Sequence, residues 1–597
     1  MKQFWITFFG SIVGVVVGAI LTVVLLVFLV GALITSAVQS ADQASDTLPA
    51  GPMVLELDLR EPRLDQPALS PFAFADPLST VEIVTALQRA ESDDRVQGVF
   101  LRANEFGMPP GQAEEIRAAM QDLRDSGKFV VAHSQDFFGS GVINYFAVGA
   151  SDALWLQPTG SFSAVGLSTE TLFLGGFFEE IGAEPEFVQF YEYKNAADVY
   201  TESTFTDAHR EAVNAYLGSI FESASAALAS DRGIESDALR QALVSGPYSA
   251  EEAEQAGLVD RLGQVAEARE DALERAGGGD ARIVEIETYA RARQPGQRGR
   301  GGSTIALIEG QGPIATGEAE PGFGGGEIIG SDTMAAAIDE AASDDKVRAI
   351  VVRLDTPGGS ATASDQIWDS VIRAQDAGKP VVISMGTVSA SGGYYIAAPA
   401  DLIYAHETTL TGSIGVLGGK IALDGALNRI GLNLEAASVG GEYATALSAS
   451  QTWTESQREA FTRLMEDTYE DFTGKVAEGR GLPLSRVQEI ARGRVWTGAQ
   501  ALERGLVDRI GGLRDAVEGA AELAEIGEDE AINLRRFPRR PTPIEALQAL
   551  FGVSAEGAEA AARLNALMEA PEIRALIEAR EAARGGARAY EPARPPR

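Results

Sequence analysis

The sequence predicts an α/β protein that consists of two tandem repeats behind a single N-terminal transmembrane helix. Three observations lead to this prediction. An uncharged apolar segment opens the chain, strand-like and helix-like patterns alternate after it, and the same landmarks occur twice at a nearly constant spacing. Alternation of strands and helices is typical of a layered α/β domain. The chain of 597 residues is long enough for two such domains.

The N-terminal segment is predicted to anchor the protein in a membrane. No charged residue lies between Lys2 and Asp42, and the apolar core over 4–34 exceeds the roughly 20 residues that span a bilayer. It also exceeds the about 7–15 apolar residues of a cleaved signal sequence, although a possible cleavage site at 36–37 leaves removal open. The positive charge before the segment predicts a cytoplasmic N-terminus. Residues 1–40 are therefore assigned to a cytoplasmic stub and anchor.

An internal repeat follows the anchor. DDRVQGVFLR at 93–102 recurs as DDKVRAIVVR at 344–353, and DSGKFVV at 125–131 recurs as DAGKPVV at 376–382. The pair AGLVDRLG and RGLVDRIG keeps nearly the same separation. A constant separation over three landmarks indicates two copies of one unit.

The repeat divides the chain into further segments. The predicted boundaries are 50–288 for the first α/β repeat, 289–303 for a linker rich in Gly, Arg and Gln, 304–534 for the second repeat, and 535–597 for a C-terminal tail. Two helical patterns predict that the tail is partly helical, and its Pro- and Arg-rich end is expected to be disordered.

Composition limits the classes of function. The formal net charge of -37 argues against a nucleic-acid partner, because a phosphate backbone would be repelled. The chain has no cysteine, which excludes disulfides and thiol chemistry. No pattern in the sequence predicts a cofactor or a metal site.

A candidate nucleophile lies in the second repeat, in VVISMGTVSASGGYYIAAPA at 381–400. The apolar run 381–383 predicts a buried strand, and 394–398 predicts a helix that ends before a proline. Ser391 would stand at the turn between them. Backbone N–H groups at such a turn are free to hold an oxyanion, and Gly392 and the glycine after it would leave room for a peptide substrate.

A second strand–turn–helix segment, AIVVRLDTPGGSATASD at 349–365, places Gly358 and Gly359 after an apolar strand. Successive strands of a parallel sheet end side by side, because their connections are right-handed crossovers. The two glycine turns are therefore expected to meet at one edge of the sheet, beside Ser391.

The motifs DTPGGS, SMG…SASGGYY and LTGSIGV at 410–416 resemble those of the SppA-type signal peptide peptidases. The resemblance covers about residue 50 to about residue 525 and is to the long, two-repeat form of that family. It implies a Clp-protease/crotonase-like fold and a membrane-anchored serine protease. The family often has Asn-Ser before PGG, where this chain has Asp355 and Thr356, so the role of Asp355 is left open.

A serine nucleophile needs a general base, and histidine is the usual one. The chain has three histidines. His133 ends a predicted strand, and His209 lies in a polar helical run that predicts a solvated side chain. His406 follows a predicted strand close to Ser391 in the sequence and remains an alternative base.

A lysine is the other candidate base. Lys194 follows an aromatic, apolar run in which partial desolvation would lower the pKa of its amine. From periodicity alone, a surface lysine beside an aromatic patch is the favoured interpretation, and the resemblance reverses this preference. The resemblance implies that a Tyr-Lys segment of the first repeat supplies the base, and Tyr193-Lys194 matches it. It also implies that Ser413 holds the lysine in place.

The repeat spacing supports one composite site. Ser391 maps onto Ser140 in the first copy, where the glycine pair is lost, and a second nucleophile at Ser140 is the minor alternative. Lys194 maps onto 442–445, which contains no lysine. The oxyanion donors would be the N–H of Gly392 and that of Gly358 or Gly359.

The leading hypothesis is a serine endopeptidase that is anchored in the bacterial inner membrane with its body in the periplasm. Its substrates would be remnant signal peptides and similar extended apolar peptides, and the resemblance implies a homo-oligomeric ring, a tetramer. The alternatives are a crotonase-like acyl-CoA hydratase or isomerase and a catalytically inactive membrane scaffold.

Overall fold

The computed structural model describes residues 48–67, 77–137, 139, 141–292, 302–319, 327–527 and 530–538. The predicted anchor at 1–40 and the tail beyond residue 538 lie outside these ranges. Within them, no helix is both long enough and apolar enough to cross a membrane.

The first repeat alternates strands with helices. Its strands are β1 Met53–Asp58, β2 Val96–Arg102, β3 Phe129–Ser134, β4 Ala153–Leu156, β5 Ser161–Phe162, β6 Glu184–Phe190, β7 Tyr248–Ser249, β8 Arg261–Leu262 and β9 Arg282–Glu285. Its helices are α1 Thr80–Glu91, α2 Pro110–Asp125, α3 Gly141–Val148, α4 Gly175–Ile181, α5 Asp198–Thr201, α6 Asp207–Arg232, α7 Ser236–Ser245, α8 Ala250–Gln255, α9 Val265–Arg275 and α10 Ile286–Arg291. A short 3-10 helix spans Asn195–Ala197.

The second repeat has the same alternation. Its strands are β10 Ser303–Gln311, β11 Ile314–Ala315, β12 Ile329–Gly330, β13 Val347–Thr356, β14 Val381–Ala390, β15 Leu402–Ala405, β16 Leu410–Gly412, β17 Val416–Ala422, β18 Val495–Thr497, β19 Arg509–Ile510 and β20 Ile532–Phe537. Its helices are α11 Ser331–Ser343, α12 Ala361–Asp376, α13 Gly392–Ala397, α14 Asp424–Arg429, α15 Glu455–Gly479, α16 Leu484–Ile490, α17 Gly498–Glu503 and α18 Leu513–Leu523. A second 3-10 helix spans Glu442–Thr445.

The two repeats form sheets of the same order. The first sheet runs β8-β4-β3-β2-β1-β9, and the second runs β19-β15-β14-β13-β10-β20, with parallel pairing throughout both paths. The second sheet is extended by β16, which pairs with the end of β14, and by β18, which pairs antiparallel with β16. The predicted tandem α/β architecture is confirmed.

The central strands contain continuous apolar runs because both faces of each sheet are covered. In β13, Ile350 and Val352 belong to a core cluster that includes side chains of α12 and α13. Ala349 and Val351 point to the other face, into a cluster with α18. The structure thus explains why the sequence shows a continuous apolar run there and not an alternating one.

The strand that leads to Ser391 is longer than its apolar run predicts. β14 continues from the predicted 381–383 to Ala390, and the helix after it begins at Gly392, two residues before the predicted start. The extension consists mostly of small and polar residues, and its last three, 388–390, pair with β16, which the apolar pattern did not reveal. β13 and β14 are neighbours, as the argument from parallel sheets predicts.

Two segment boundaries differ from the predicted ones. The predicted linker begins at residue 289, but Tyr289 is fully buried in α10, and Ser303 at the linker's other end already belongs to β10. β20 runs to Phe537, across the predicted boundary at 534, because its edge pairs with β10. The sequence pattern did not predict this strand, because its arginines interrupt the apolar run.

An antiparallel strand pair joins the two repeats. β6 of the first repeat pairs with β17 of the second, from Val416 opposite Phe190 to Ala422 opposite Glu184. This pair is separate from both main sheets. It places the chain that follows β6 directly beside the second repeat.

A buried ionic cluster also joins the repeats. The Arg353 guanidinium donates to both carboxylate oxygens of Asp65, over 2.9 and 2.6 Å, and lies 2.9 Å from Glu115. His406 Nε2 lies 2.6 Å from the Glu115 carboxylate. All four side chains are nearly inaccessible to solvent. Because an unpaired buried charge is costly, this cluster favours one alignment of the repeats over others.

Candidate active site

Ser391 stands at the turn between β14 and α13, as predicted. Its backbone has φ 54° and ψ -115°, a conformation that is uncommon for a residue other than glycine. The Ser391 N–H donates to Gly412 O over 2.8 Å, and its carbonyl accepts from Tyr395 N over 2.9 Å. Strained residues of this kind persist where the surrounding structure fixes them, often at functional sites.

Lys194 lies just after β6, where the first repeat reaches over the second. Its N–H donates to Tyr191 O over 3.1 Å, and the 3-10 helix Asn195–Ala197 follows it. Only 6% of Lys194 is exposed. The alternative of a surface lysine is therefore wrong.

The amine of Lys194 meets both predicted serines of the second repeat. Nζ lies 3.0 Å from Ser391 Oγ and 3.0 Å from Ser413 Oγ, and it donates to the Ser413 carbonyl over 2.8 Å. Residues 197 and 219 positions apart in the sequence are thus in hydrogen-bond contact.

Burial lowers the pKa of the Lys194 amine to about 7. The desolvated environment disfavours the charged ammonium form, and burial is the single cause of the shift among the described residues. A substantial fraction of the amine is therefore neutral near neutral pH, which is the form that can accept a proton.

Ser413 also has a strained backbone. Its φ is 50°, and its N–H donates to Arg494 O over 2.8 Å. This conformation turns both the carbonyl and the hydroxyl of Ser413 toward the lysine amine. The two oxygens hold Nζ beside Ser391.

The glycine turns pack against each other. A β-carbon on Gly358, whose φ is +100°, would lie 2.7 Å from Ser391 Cβ. A β-carbon on Gly392 would lie 2.4 Å from Ser364 Oγ, and one on Gly359 would lie 2.1 Å from Ile314 O. The expectation that the glycine after Ser391 clears space for substrate is thus incomplete, because Gly392 is required by contacts within the protein.

Asp355 holds the strand that carries Ser391. Between the pairs Leu354–Met385 and Thr356–Ser389, three residues of β14 lie opposite this one residue. The Asp355 carboxylate accepts the Val388 N–H over 2.9 Å within that bulge. Burial, with a contribution from the nearby charge of Asp65, raises the pKa of Asp355 to about 6. Its position points to a structural role at the end of the strand.

None of the three histidines lies in hydrogen-bond contact with Ser391 within the described part of the chain. His406 is paired with the Glu115 carboxylate. Burial acts to lower the pKa of the His406 ring, but the charge and hydrogen bond of Glu115 raise it above its ordinary value. His133 is buried, with Nε2 3.2 Å from Gly263 O. His209 is also buried, with Nδ1 3.2 Å from Asp198, so the prediction of a solvated side chain is wrong. The α6 residue packs inward at the start of its helix.

The first repeat has counterparts of Ser391 and of the PGG turn. Ser140 lies outside the described residues. The counterpart of the PGG turn, at 106–108, contains Phe106, which is 84% exposed. This loop is held by Asn104, whose side-chain oxygen accepts the N–H groups of Phe106 and Gly107 over 2.8 Å each.

One segment near the lysine was missed by sequence reasoning. Arg492, Gly493 and Arg494 contact the chain around Lys194. The available signal was a glycine between two arginines ahead of a short strand pattern. Nothing in that pattern indicates contact with a segment 300 residues earlier.

Both repeats are similar to proteins of one known family. The sequence profile described as Peptidase family S49 matches residues 122–277 and 373–527, one stretch in each repeat. The chain is similar to the chloroplastic serine protease SPPA of Arabidopsis thaliana, at 30% identity over 81% of this chain and 72% of the relative. It is 32% identical to Protease 4 of Salmonella typhi over 75% of this chain and 72% of the relative. For Protease 4 of Haemophilus influenzae the identity is 28%, over 76% and 74%.

Matches to the same family in both α/β repeats, together with relatives that align over most of the chain, show that the chain belongs to peptidase family S49 and is a serine peptidase.

Proposed function

We propose that Ser391 is the nucleophile and Lys194 the general base of a single active site shared by the two repeats. The observation that carries this proposal is the 3.0 Å separation between Lys194 Nζ and Ser391 Oγ. Such a distance allows direct proton transfer. The lowered pKa of the buried amine supports the same roles.

The reaction would proceed through an acyl-enzyme. Neutral Lys194 takes the hydroxyl proton as Ser391 Oγ attacks the scissile carbonyl carbon and forms a tetrahedral oxyanion. When the C–N bond breaks, the lysine ammonium gives its proton to the leaving amine. Lys194, now neutral again, activates a water molecule that hydrolyses the ester on Ser391 and releases the carboxylic acid product.

The oxyanion would be held by the N–H of Gly392 and by one from the PGG turn. Gly358 N–H already donates to Thr356 Oγ1 over 3.0 Å, which favours Gly359 as the second donor. Each such donor is worth about 10²–10³ in rate in other acyl-transfer enzymes. Ser413 would orient the lysine through the two contacts described above.

Family membership removes the two alternatives of the sequence analysis. A serine peptidase is neither an acyl-CoA hydratase or isomerase nor a catalytically inactive scaffold. The His406 alternative is disfavoured because its ring is paired with Glu115 inside the inter-repeat cluster.

The proposed substrates are remnant signal peptides and other extended, apolar peptides. An anchor at 1–40 would hold the body at the periplasmic face of the inner membrane, close to where such peptides are released. The Protease 4 relatives from two bacteria support a bacterial setting.

The proposed assembly is a homo-oligomeric ring, a tetramer. Large apolar side chains are exposed on the segments that flank the β6–β17 pair. Their exposures are 77% for Leu172, 56% for Phe177, 72% for Ile430, 97% for Val439 and 69% for Leu447. Several exposed apolar side chains in one region are typical of a protein–protein interface.

Replacement of the proposed catalytic residues should separate the lysine from the histidine. We expect Ser391→Ala and Lys194→Ala to lower kcat/KM on an apolar signal-peptide substrate by at least about 10³-fold, because each removes a participant in the acylation step. His406→Gln should stay within a few-fold of the wild type. A fluorophosphonate probe should label the wild type and not Ser391→Ala. Full activity of Lys194→Ala would refute the dyad.

The pH dependence should reveal the lysine. The base must be neutral, so kcat/KM should fall about tenfold per pH unit below an acid limb near the lysine pKa of about 7. Asp355, whose pKa is about 6, and His406, whose pKa is raised from its ordinary value by Glu115, are the groups that could be confused with it, and His406→Gln should leave the limb unchanged. The Asp355→Asn variant should keep the limb where it is, and a limb that disappears in this variant would contradict the assignment to Lys194.

The contact between the glycine turns should be essential. Gly358→Ala would place a β-carbon 2.7 Å from Ser391 Cβ at a φ of +100°, so we expect a loss of kcat of about 10²-fold in a folded protein. Gly378→Ala is the matched control, because φ there is +78° and no described atom lies within 4 Å of the added carbon. Equal losses in both variants would show that backbone strain alone is responsible.

The anchor and the assembly can be tested on the full-length protein. It should stay with membranes after an alkaline wash, whereas a variant without residues 1–40 should be released.

Light scattering in detergent should give the mass of a tetramer, and Val439→Glu should reduce it. Phe106→Glu, at an 84% exposed site away from the β6–β17 pair, should not. A monomeric wild type would refute the assembly.

A further inference from the structure

The chain around Lys194 is held by a segment of the other repeat. We call residues 191–194 the lysine segment and residues 492–494 the clamp. The clamp connects α16 to β18, and both ends are fixed: Ala491 N donates to Val487 O over 2.8 Å, and Val495 pairs with Gly412 in β16. It is therefore a short, doubly anchored connection of the second repeat.

The middle residue of the clamp touches the lysine backbone. A β-carbon on Gly493 would lie 2.4 Å from Lys194 Cβ, 2.5 Å from its N and 2.6 Å from its Cα, and the φ of Gly493 is +79°. Gly415 approaches from the other side, where a β-carbon would lie 2.8 Å from Gly493 Cα. Three backbone segments thus stack at a distance that only glycine permits.

The first residue of the clamp, Arg492, forms an ion pair and a cation–π contact with the lysine segment. Arg492 donates to both carboxylate oxygens of Glu192, over 3.0 and 2.8 Å. Its guanidinium also lies over the ring of Tyr191, 4.9 Å from the centroid. A planar guanidinium suits such a bidentate, stacked contact. Arg492 has a positive φ of 51°, so the backbone is strained at this contact as well.

The last residue of the clamp holds the neighbouring tyrosine. The Arg494 guanidinium lies 4.8 Å from the ring centroid of Tyr193 and 4.5 Å from that of Trp496. It also donates to Glu211 over 2.8 Å. The clamp therefore contacts every residue of the lysine segment, from 191 to 194.

The clamp also forms hydrogen bonds with Ser413, which contacts the lysine amine, and with the residue after it. Arg494 O accepts the Ser413 N–H over 2.8 Å, and Gly493 N donates to Ile414 O over 2.8 Å. The backbone that contacts Lys194 thus also fixes Ser413. A single segment of the second repeat determines how far the amine lies from its orienting residue.

We propose that the clamp, Arg492–Gly493–Arg494, is a positioning element that fixes Lys194 of the first repeat against Ser413 and Ser391. The proposal rests on the dyad proposed above and adds to it the residues that place the base. The clamp does not touch the reacting atoms and acts through the lysine segment.

Loosening the clamp should alter two quantities. First, kcat should fall more than KM rises, because a displaced base weakens proton transfer and leaves substrate binding intact. Second, water that reaches Nζ would restore part of its solvation, so the acid limb of the pH profile should move to higher pH. The ionisable groups on the packed segments are Tyr191, Glu192, Tyr193, Arg492, Arg494, Glu211 on α6 and Tyr469 on α15. The lowered pKa of Lys194 has burial as its cause.

The test compares clamp variants of the full-length protein with matched controls. For Gly493→Ala we expect a loss of about 10- to 100-fold in kcat, with KM within about threefold of the wild type. The Arg492 side chain is partly exposed, so the Arg492→Ala variant should fold. We expect its acid limb to lie at least about half a pH unit higher than that of the wild type. The charge swap Arg492→Glu with Glu192→Arg should bring the limb back toward that of the wild type.

Two controls remove the trivial explanations. Gly481→Ala has a φ of +60° with no described atom within 4 Å of the added carbon, so it reports backbone strain alone. Arg486→Ala breaks an ion pair of the same 2.8 Å length, from an arginine with the same 43% side-chain exposure as Arg492. Both controls should keep the wild-type pH profile.

Three results would overturn the proposal, and they are distinguishable. If Lys194→Ala is inactive while Gly493→Ala and Arg492→Ala keep the wild-type kcat and acid limb, the clamp fails and the dyad stands. If Lys194→Ala is active, the dyad fails and the clamp fails with it. A kcat loss in Gly481→Ala equal to that in Gly493→Ala would also overturn the clamp.

Discussion

The site depends on one constraint, the burial of the Lys194 amine at the boundary between the two repeats. In water an amine of this type is protonated at neutral pH and cannot act as a base. Removal from solvent brings its pKa to about 7, and the oxygens of Ser413 then hold it 3.0 Å from Ser391 Oγ. Burial requires surfaces from both repeats, so neither could produce this environment alone.

In the proposed mechanism, the contacts between the repeats therefore contribute to chemistry as well as to stability. The β6–β17 pair carries the lysine across to the second repeat, and the clamp contacts it from the opposite side. Deeper in the boundary, Arg353 pairs with Asp65 and Glu115 of the first repeat. Because those charges would be costly without their partners, the cluster favours the alignment in which the lysine reaches the serine.

Backbone strain is concentrated around the lysine. Among the described residues other than glycine, those with positive φ are Ser391, Ser413, Arg492 and Glu525, and the first three lie around Lys194. Each of these three is fixed by a hydrogen bond or an ion pair to a neighbouring segment. Their strain is consistent with a site in which hydroxyl and carbonyl groups are aimed by the fold and not by local preference.

The tandem α/β architecture and most residues of the candidate site could be predicted from the amino-acid sequence. Repeated landmarks and apolar runs are local patterns, and the motifs around Ser391, Ser413 and Lys194 are short enough to be read without a fold. The second half of β14, the burial of His209 and the clamp around Gly493 became evident only in the folded chain. These features depend on contacts between residues far apart in the chain, where small or polar side chains leave no periodic signal.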